Sequence, residues 1–212
     1  MFLSQFITLH PTHPEPRLIK RAVEIVRRGG VIAYPTDSCY ALGCHLGDKT
    51  AMERIRTIRD VDERHHFTLV CRDLSEIGAF AKVNNAQYRL LKAHTPGSYT
   101  FILQATRELP RRLAHPKRAT IGVRVPQHVM AQALLAELGE PLLSSTLILP
   151  GDDQPLNDAA EIQAHLDHQL DLIINGGACG VEPTTVIDLS ADEPILVRRG
   201  KGDASVFGFA DA

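Results

Sequence analysis

The chain has 212 residues, of which 44% are hydrophobic and 23% are charged, and its formal net charge is −2. This composition predicts a globular chain that can bury a core, and it excludes a protein that coats nucleic acid through overall positive charge. There is no apolar run of about 18 residues and no export signal, so we predict a cytoplasmic protein without a membrane span. Four single cysteines, without a C-x-x-C pair, indicate reduced thiols rather than disulfides or zinc.

The first half of the chain alternates between helical and strand-like patterns. A helix is predicted from Pro16 to the Gly29-Gly30 pair, and a short buried strand follows at residues 31–34. A second helix is predicted over residues 49–59, a strand over 67–71, and more helical structure between 74 and 93.

The second half is richer in strands. Strands are predicted at 99–105, 120–125, 141–146, 171–174, 184–189 and 194–199, with helices at 127–138 and 158–170. Because these elements follow no regular βαβ repeat, we predict an α/β fold with a single twisted mixed sheet and packed helices, not a Rossmann sheet. Residues 1–202 are predicted to form one domain, and residues 203–212 a loosely held C-terminal tail.

Common nucleotide and metal motifs are absent from the sequence. There is no G-x-x-x-x-G-K-[ST] loop and no G-x-G-x-x-G after a strand, so any nucleotide site must be built in another way. The adjacent histidines His65 and His66 point apart and have no third ligand at helical spacing. We therefore expect no structural metal ion.

The stretch after the first predicted strand is the most distinctive part of the chain. Tyr34 and Pro35 are followed by Thr36, Asp37 and Ser38, within the sequence YPTDSCYALGC. Such a loop can offer hydroxyl donors and acceptors to a polar ligand, or it can form a capping turn. Residue chemistry alone favours neither interpretation.

The order of these residues resembles the YPT-[DE]-T-x-Y-G-L-G signature of the YrdC/YciO family. Four later segments are similar to family motifs in the family order: 95–103 to P-G-P-x-T, 122–126 to R-x-P, 184–188 to S-T-V-[IV]-D, and 197–200 to R-x-G. The resemblance covers roughly residues 22–200, and the layout looks most like the YciO branch.

The resemblance implies a YrdC/RibB-like α/β fold with a large cleft, and the chemistry of a threonylcarbamoyl-adenylate synthase. Such enzymes join L-threonine, bicarbonate and ATP, with Mg²⁺ expected on the ATP, and release pyrophosphate on the route to threonylcarbamoyladenosine in tRNA. Catalytic roles are implied for three arginines, whose guanidinium groups can grip phosphates or carboxylates: Arg59, Arg124 and Arg198. Substrate or nucleotide binding is implied for Thr36, Ser38, Tyr40, His65, Thr68, Thr100, Ser145, Thr146 and Thr184.

Two departures from the synthase pattern fall in the implied site. The K-x-R-P motif falls on residues 59–62, where Val61 replaces the family arginine. The next family lysine falls on His65, which we expect to be charged only in part near neutral pH. The S-x-N triplet falls on residues 146–148, where Ile148 replaces the asparagine. We therefore expect either a synthase or a weakened paralogue, because loss of a phosphate-binding cation slows such a reaction on the order of a hundredfold.

Two other functions remain open. The chain is alternatively a double-stranded RNA- or tRNA-binding protein that recognises RNA by shape; the residues implied are Arg56, Arg107, Arg111, Arg112, Lys117 and Arg118. A third possibility is an ATP-using enzyme that modifies a different small molecule. The enzyme hypotheses require that the hydroxyls after Tyr34 and the guanidiniums of Arg124 and Arg198 converge on one cavity.

Overall fold

The computed structural model describes residues 3–210, which form one ten-stranded sheet with packed helices. The strands are β1 (Gln5–Thr8), β2 (Ile32–Tyr34), β3 (Ala41–His45), β4 (Thr68–Val70), β5 (Tyr99–Gln104), β6 (Thr120–Arg124), β7 (Leu142–Thr146), β8 (Leu172–Asn175), β9 (Thr185–Asp188) and β10 (Ile195–Arg198). The helices are α1 (Pro16–Arg27), α2 (Lys49–Arg59), α3 (Leu74–Phe80), α4 (Asn85–His94), α5 (Val129–Leu138) and α6 (Ala159–Leu166), and two 3₁₀ helices span Arg111–Leu113 and Ala204–Phe207.

The sheet is mixed. Its strand order is β1-β8-β2-β3-β7-β4-β6-β5-β9-β10. The pairs β1/β8, β2/β8, β4/β6 and β5/β9 are parallel, and the other neighbours are antiparallel. The predicted single mixed α/β sheet is therefore confirmed, and it is not a Rossmann sheet.

The two faces of the sheet carry separate apolar cores because side chains alternate along each strand. On one face, Phe101, Val123 and Leu143 pack with residues of α2 and α6 in the larger core. On the other face, Tyr34 and Leu142 pack against α1 and α5. The α1–α5 core takes in Val70 of β4, but no residue of β5, β6 or β9. That part of the second face is available for a site.

Two strands differ from the sequence-based expectation. β1 was not predicted, because only one of its four side chains is buried and no alternation is visible. β3 lies within the stretch interpreted as a loop, because both of its faces are buried and the polar alternation of a half-exposed strand is missing. Gly43 in β3 packs tightly, since a Cβ there would lie 2.6 Å from Leu142 Cδ2 and 2.9 Å from Tyr34 Cε1 and would force these buried side chains to move.

The C-terminal segment packs on β5. The ring of Phe207 lies 5.5 Å from that of Tyr99 and 5.9 Å from that of Phe101. Tyr99 also donates a hydrogen bond to the Asp203 carbonyl, 3.2 Å away. The segment predicted as a loosely held tail is therefore held by ring contacts at these residues. Residues 211 and 212 of that segment lie outside the described part.

Candidate functional site

A cavity of about 480 Å³ opens on the sheet face that α1 and α5 leave free. Five strands contribute alternate residues to it, as the two-residue period requires. These are residues 100 and 102 of β5, 122 and 124 of β6, 68 and 70 of β4, 144 and 146 of β7, and 184 and 186 from β9 and the residue before it; Ser145 of β7 also lines the cavity. The cavity is therefore built from residues that are far apart in the chain and adjacent in the sheet.

The structure brings most of the predicted site residues together around this cavity. Ser38 and Tyr40 do not line it: Ser38 is fully buried beside Thr36, and the Tyr40 hydroxyl donates to the Gly177 carbonyl at 2.9 Å. Those that line it are Thr36, Arg59, His65, Thr68, Thr100, Arg124, Ser145, Thr146, Thr184 and Arg198. The convergence that the enzyme hypotheses require is therefore present for Thr36, Arg124 and Arg198.

Other lining residues were not singled out from the sequence. They include the polar residues Cys39, Arg64 and Ser144, and the apolar residues Ala41, Val70, Ile102, Val186 and Val197. Ile148, noted from the sequence in place of the family asparagine, and His66, considered there as a metal ligand, also line the cavity. Ser144 could have been found from the sequence. Side chains alternate between the two faces of a strand, so Ser144 lies on the same face as Thr146, two residues later.

Arg124 forms a buried ion pair with Asp37. Its Nη2 donates to Asp37 Oδ1 at 2.6 Å, and the two side chains are 8% and 10% exposed. Asp37 also accepts hydrogen bonds from Ser98 Oγ at 2.8 Å and from the Gln127 amide at 3.2 Å. The charge of Arg124 is therefore balanced, and Asp37 sets the position of its guanidinium.

Arg59 and Arg198 face the cavity without an ion-pair partner among residues 3–210. Arg59 Nη1 donates to Ser145 Oγ at 3.1 Å and to the Thr146 carbonyl, and Arg198 Nη2 donates to the Thr184 carbonyl at 2.9 Å. Burial lowers the pKa of both arginines, and the charge of Arg198 lowers the pKa of Arg59 further. Both remain charged, because arginine is not deprotonated in proteins.

The cavity is consequently electropositive. Its described lining contains no aspartate or glutamate. A bound anion would satisfy the guanidiniums of Arg59 and Arg198, and Arg64 of the lining is a third cation without an ion pair among the described residues. Several such cations suit a ligand with more than one negative charge.

The threonine hydroxyls differ in whether they can meet a ligand. Thr36 Oγ1 donates to the Cys39 carbonyl at 2.7 Å and accepts from the Ser38 amide, so it forms the capping turn that the sequence left open. Thr100 Oγ1 and Thr184 Oγ1 share a hydrogen bond of 2.8 Å at the cavity wall, and Arg198 Nη2 lies 3.4 Å from the second. This Thr100–Thr184 pair retains capacity for a ligand, since each hydroxyl has a donor and two acceptor positions.

His65 is an uncharged component of the site. Its Nε2 lies 2.9 Å from Ser145 Oγ, and its ring stands edge-on to that of Phe67 at 5.6 Å. Burial, followed by the charge of Arg59, lowers the pKa of His65 to about 4. The partial charge expected from the sequence is therefore absent near neutral pH, and His65 does not replace the lysine of the family pattern.

The low pKa of His65 should make stability depend on pH. Its pKa is about 4 in the folded protein against 6.5 for an ordinary histidine, so the unfolded chain binds the additional proton between these values. The stabilisation is complete above pH 6.5 and is lost as pH falls towards 4, by roughly 3 kcal/mol. We expect urea unfolding of His65→Gln to show a flatter profile over this window. The variant His13→Gln, which changes an exposed histidine, should keep the wild-type dependence of the free energy of unfolding on pH. The same pH dependence in wild type and His65→Gln would contradict the low pKa of His65.

Five of the six residues predicted to bind RNA lie in the segment 107–118, and all five are exposed. Arg112 donates to the Gly47 carbonyl at 2.5 Å, and Arg118 lies 3.6 Å from Asp188. His115 of this segment stacks on His66 of the cavity wall, with ring centroids 4.6 Å apart. The sixth residue, Arg56, lies apart from the segment: it pairs with Glu53 at 2.6 Å and covers the Phe67 ring.

The remaining sequence-based expectations concern cysteines, metals and membranes. The four cysteines are free, and Cys39, Cys44 and Cys71 are buried. Within residues 3–210 there is no group of three or more His, Cys, Asp or Glu side chains arranged to hold a metal ion. No helix in the same range has both the length and the apolar character needed to cross a membrane.

Known proteins resemble this chain in sequence and in structure. A model of the Sua5/YciO/YrdC family, described as "Telomere recombination", matches residues 24–200. The Escherichia coli (strain K12) protein YciO is 57% identical over 97% of this chain and all of its own, and the crystal structure of E. coli YciO has a TM-score of 0.94.

Two further relatives carry functional names. A threonylcarbamoyl-AMP synthase from Chromobacterium violaceum is 35% identical over 85% of this chain and 93% of its own. The structure of P. abyssi Sua5 complexed with L-threonine is 25% identical, with a TM-score of 0.86 over 93% of this chain and 58% of that one.

Proposed function

Because this chain belongs to the Sua5/YciO/YrdC family, we propose that it is a threonylcarbamoyl-adenylate synthase-like enzyme, either a full synthase or a weakened paralogue. It would join L-threonine, bicarbonate and ATP, release pyrophosphate, and serve formation of threonylcarbamoyladenosine in tRNA. The observation that carries the proposal is the cavity into which Arg59 and Arg198 project without carboxylate partners. A cytoplasmic location is proposed with it, since the four free thiols suit a reducing compartment.

The geometry matches what this reaction demands. A carbamate oxygen must approach the α-phosphorus of ATP, so two anions meet and further charge develops at phosphorus. Fixed cations and positioned donors provide most of the catalysis in such transfers. In this proposal Arg59 and Arg198 would bind the phosphates, and the Thr100–Thr184 pair would bind the polar atoms of the amino acid; their hydrogen-bond geometry supports these roles. With no described carboxylate in the lining, Mg²⁺ would arrive with the ATP phosphates.

The departures from the synthase pattern favour a weakened or altered activity. Ile148 lines the cavity and cannot offer the hydrogen bonds of the family asparagine, while Val61 does not line it. His65 is neutral, so the cavity also lacks the charge of the family lysine. These changes support a slower synthase, or one that accepts a different amine in the same cavity.

Ligand-dependent stabilisation tests the proposal directly. Protein melting temperature should rise with ATP and Mg²⁺, and rise further when L-threonine and bicarbonate are added. Continuous release of pyrophosphate over many turnovers should require all three substrates. A panel of other amino acids separates threonine from an alternative amine. No shift with ATP and no pyrophosphate with any amine would contradict the proposed function.

A second candidate, RNA binding, is favoured by the exposed cations of segment 107–118 beside the cavity wall. Binding to tRNA or double-stranded RNA should weaken linearly with salt concentration on logarithmic axes. The charge-reversal double variant Arg107→Glu/Arg111→Glu should reduce the slope of log affinity against log salt concentration by about two. The reduction is one for each phosphate that is no longer neutralised. The matched variant Arg17→Glu/Arg21→Glu, on α1, should leave the slope unchanged. Binding that is insensitive to salt would exclude this candidate.

A further inference from the structure

Ser145 occupies a position that differs from the other hydroxyls of the cavity. The residue is 6% exposed and belongs to the cavity lining, and its Oγ lies 2.9 Å from His65 Nε2 and 3.1 Å from Arg59 Nη1, which also line the cavity. The neighbouring Ser144 hydroxyl instead donates to the Leu42 carbonyl at 2.8 Å and contacts the Tyr34 hydroxyl. Among the cavity hydroxyls described, only Ser145 has both a cation and an imidazole as hydrogen-bond partners.

The direction of these two hydrogen bonds follows from the chemistry of the partners. A guanidinium only donates, so Ser145 Oγ accepts from Arg59 and keeps its own proton free to donate. Within the described residues, His65 Nε2 is the acceptor within hydrogen-bond distance of that proton. An imidazole that is neutral near pH 7 can accept it at Nε2. A hydroxyl that donates to a base and accepts from a cation has the arrangement of an activated nucleophile.

A ligand held by Arg59 would lie next to this hydroxyl. Arg59 Nη1 contacts Ser145 Oγ and the Thr146 carbonyl, and its Nε is buried without a partner. A phosphate bound to Arg59 would therefore present its phosphorus near Ser145 Oγ. In the proposed synthase reaction, the reacting phosphorus is the α-phosphorus of ATP.

We propose that Ser145 is a nucleophile, with His65 as its general base, that takes an adenylyl group from ATP bound in the cavity. This inference rests on the proposed function, since it requires ATP at the same site. Ser145 Oγ forms a bond to the α-phosphorus, the bond between that phosphorus and the β-phosphate bridging oxygen breaks, and pyrophosphate leaves. The hydroxyl proton passes to His65 Nε2. The product is adenylylated Ser145, in which one phosphate joins the serine oxygen to adenosine.

The bound nucleotide itself prepares His65 for this role. In the free cavity, burial and the charge of Arg59 disfavour a proton on His65. The negative charges of a triphosphate beside Arg59 offset that cation and favour the protonated imidazole. The carbamate of the synthase reaction would compete with Ser145 for the same phosphorus, so the adenylyl group transfers to Ser145 when the amine substrate is missing.

The experiment is incubation of the full chain with Mg²⁺ and ATP labelled at either the α- or the γ-phosphate, followed by intact mass measurement and peptide mapping. We expect a mass increase of one adenylyl group, retention of the α-label only, and an adduct on the peptide that contains Ser145. Ser145→Ala should abolish it, and His65→Gln should slow its formation by about a hundredfold or more. Adding L-threonine and bicarbonate should suppress it.

Ser75→Ala is the control, because it removes an exposed serine hydroxyl of α3 that does not line the cavity, and it should keep the adduct. Peptide mapping of the wild-type chain decides the outcome even if a variant fails to fold. If ATP raises the melting temperature but no adduct forms, or the adduct lies elsewhere, the Ser145 proposal is overturned while the nucleotide site stands. If ATP produces neither stabilisation nor an adduct, the Ser145 proposal and the proposed function fail together.

Discussion

Arg198→Ala is expected to lower the rate of ATP-dependent pyrophosphate release by about a hundredfold or more, with little change in the free energy of unfolding. Loss of one group that stabilises developing charge costs about 3 kcal/mol of transition-state stabilisation. Arg198 ends the edge strand β10, lines the cavity, and hydrogen-bonds only to Thr184 among the described residues. Its removal therefore takes a cation from the ligand and leaves no buried charge unpaired.

The matched control is Arg199→Ala, which removes an equal charge from the next residue, where the side chain contacts the Ala210 carbonyl and does not line the cavity. Steady-state kinetics and urea unfolding on both variants complete the test. Equal losses of activity in the two variants would attribute the effect to overall charge, and an unchanged rate in Arg198→Ala would remove this arginine from the catalytic machinery.

Asp37→Ala is expected to lower the free energy of unfolding by about 3–5 kcal/mol and to abolish the activity. Truncation leaves the guanidinium of Arg124 buried without its counter-ion, and uncompensated buried charges are strongly destabilising. It also removes the acceptor used by Ser98 Oγ and the Gln127 amide. Because the Arg124–Asp37 pair is buried, Arg124→Ala should also be destabilising, which makes Arg198 the cleaner probe of catalysis.

The control for Asp37→Ala is Arg54→Ala, which breaks the partly exposed pair with Asp171 and should cost less than about 1 kcal/mol. The double variant Asp37→Ala/Arg124→Ala should lose less stability than the sum of the two single variants, because both charges are then gone. Additive losses in urea unfolding would show that the two residues do not stabilise each other.

Several elements could be predicted because their signals are local. The bounds of α2 were predicted as observed, and its N-cap, Asp48, accepts a hydrogen bond from the Ala51 amide at 2.8 Å. Helices were predicted at 127–138 and 158–170; α5 ends at Gly139, and Asp158 caps α6, because these residue types favour those positions. The resemblance to the family led to ten of the 21 residues that line the cavity.

Other features could not be read from local patterns. The sequences of β1 and β3 show no alternation of apolar and polar residues. These segments are strands because they form hydrogen bonds with neighbouring strands that are distant in sequence. Thr36 lies in the predicted motif, but its hydroxyl is used within its own turn. His65 was expected to be partly charged, and only its burial beside Arg59 shows that it is neutral.

The sequence by itself determined the class of fold, the family and the kinds of side chain available for the chemistry. These properties follow from composition, periodicity and motif order along the chain. Only the tertiary structure decided which charges are balanced: Asp37 and Arg124 are 87 positions apart and form a pair, whereas Arg59 and Arg198 face the cavity without one. Electrostatic partnership depends on distance through space and on burial, and neither is encoded in the spacing of residues along the chain.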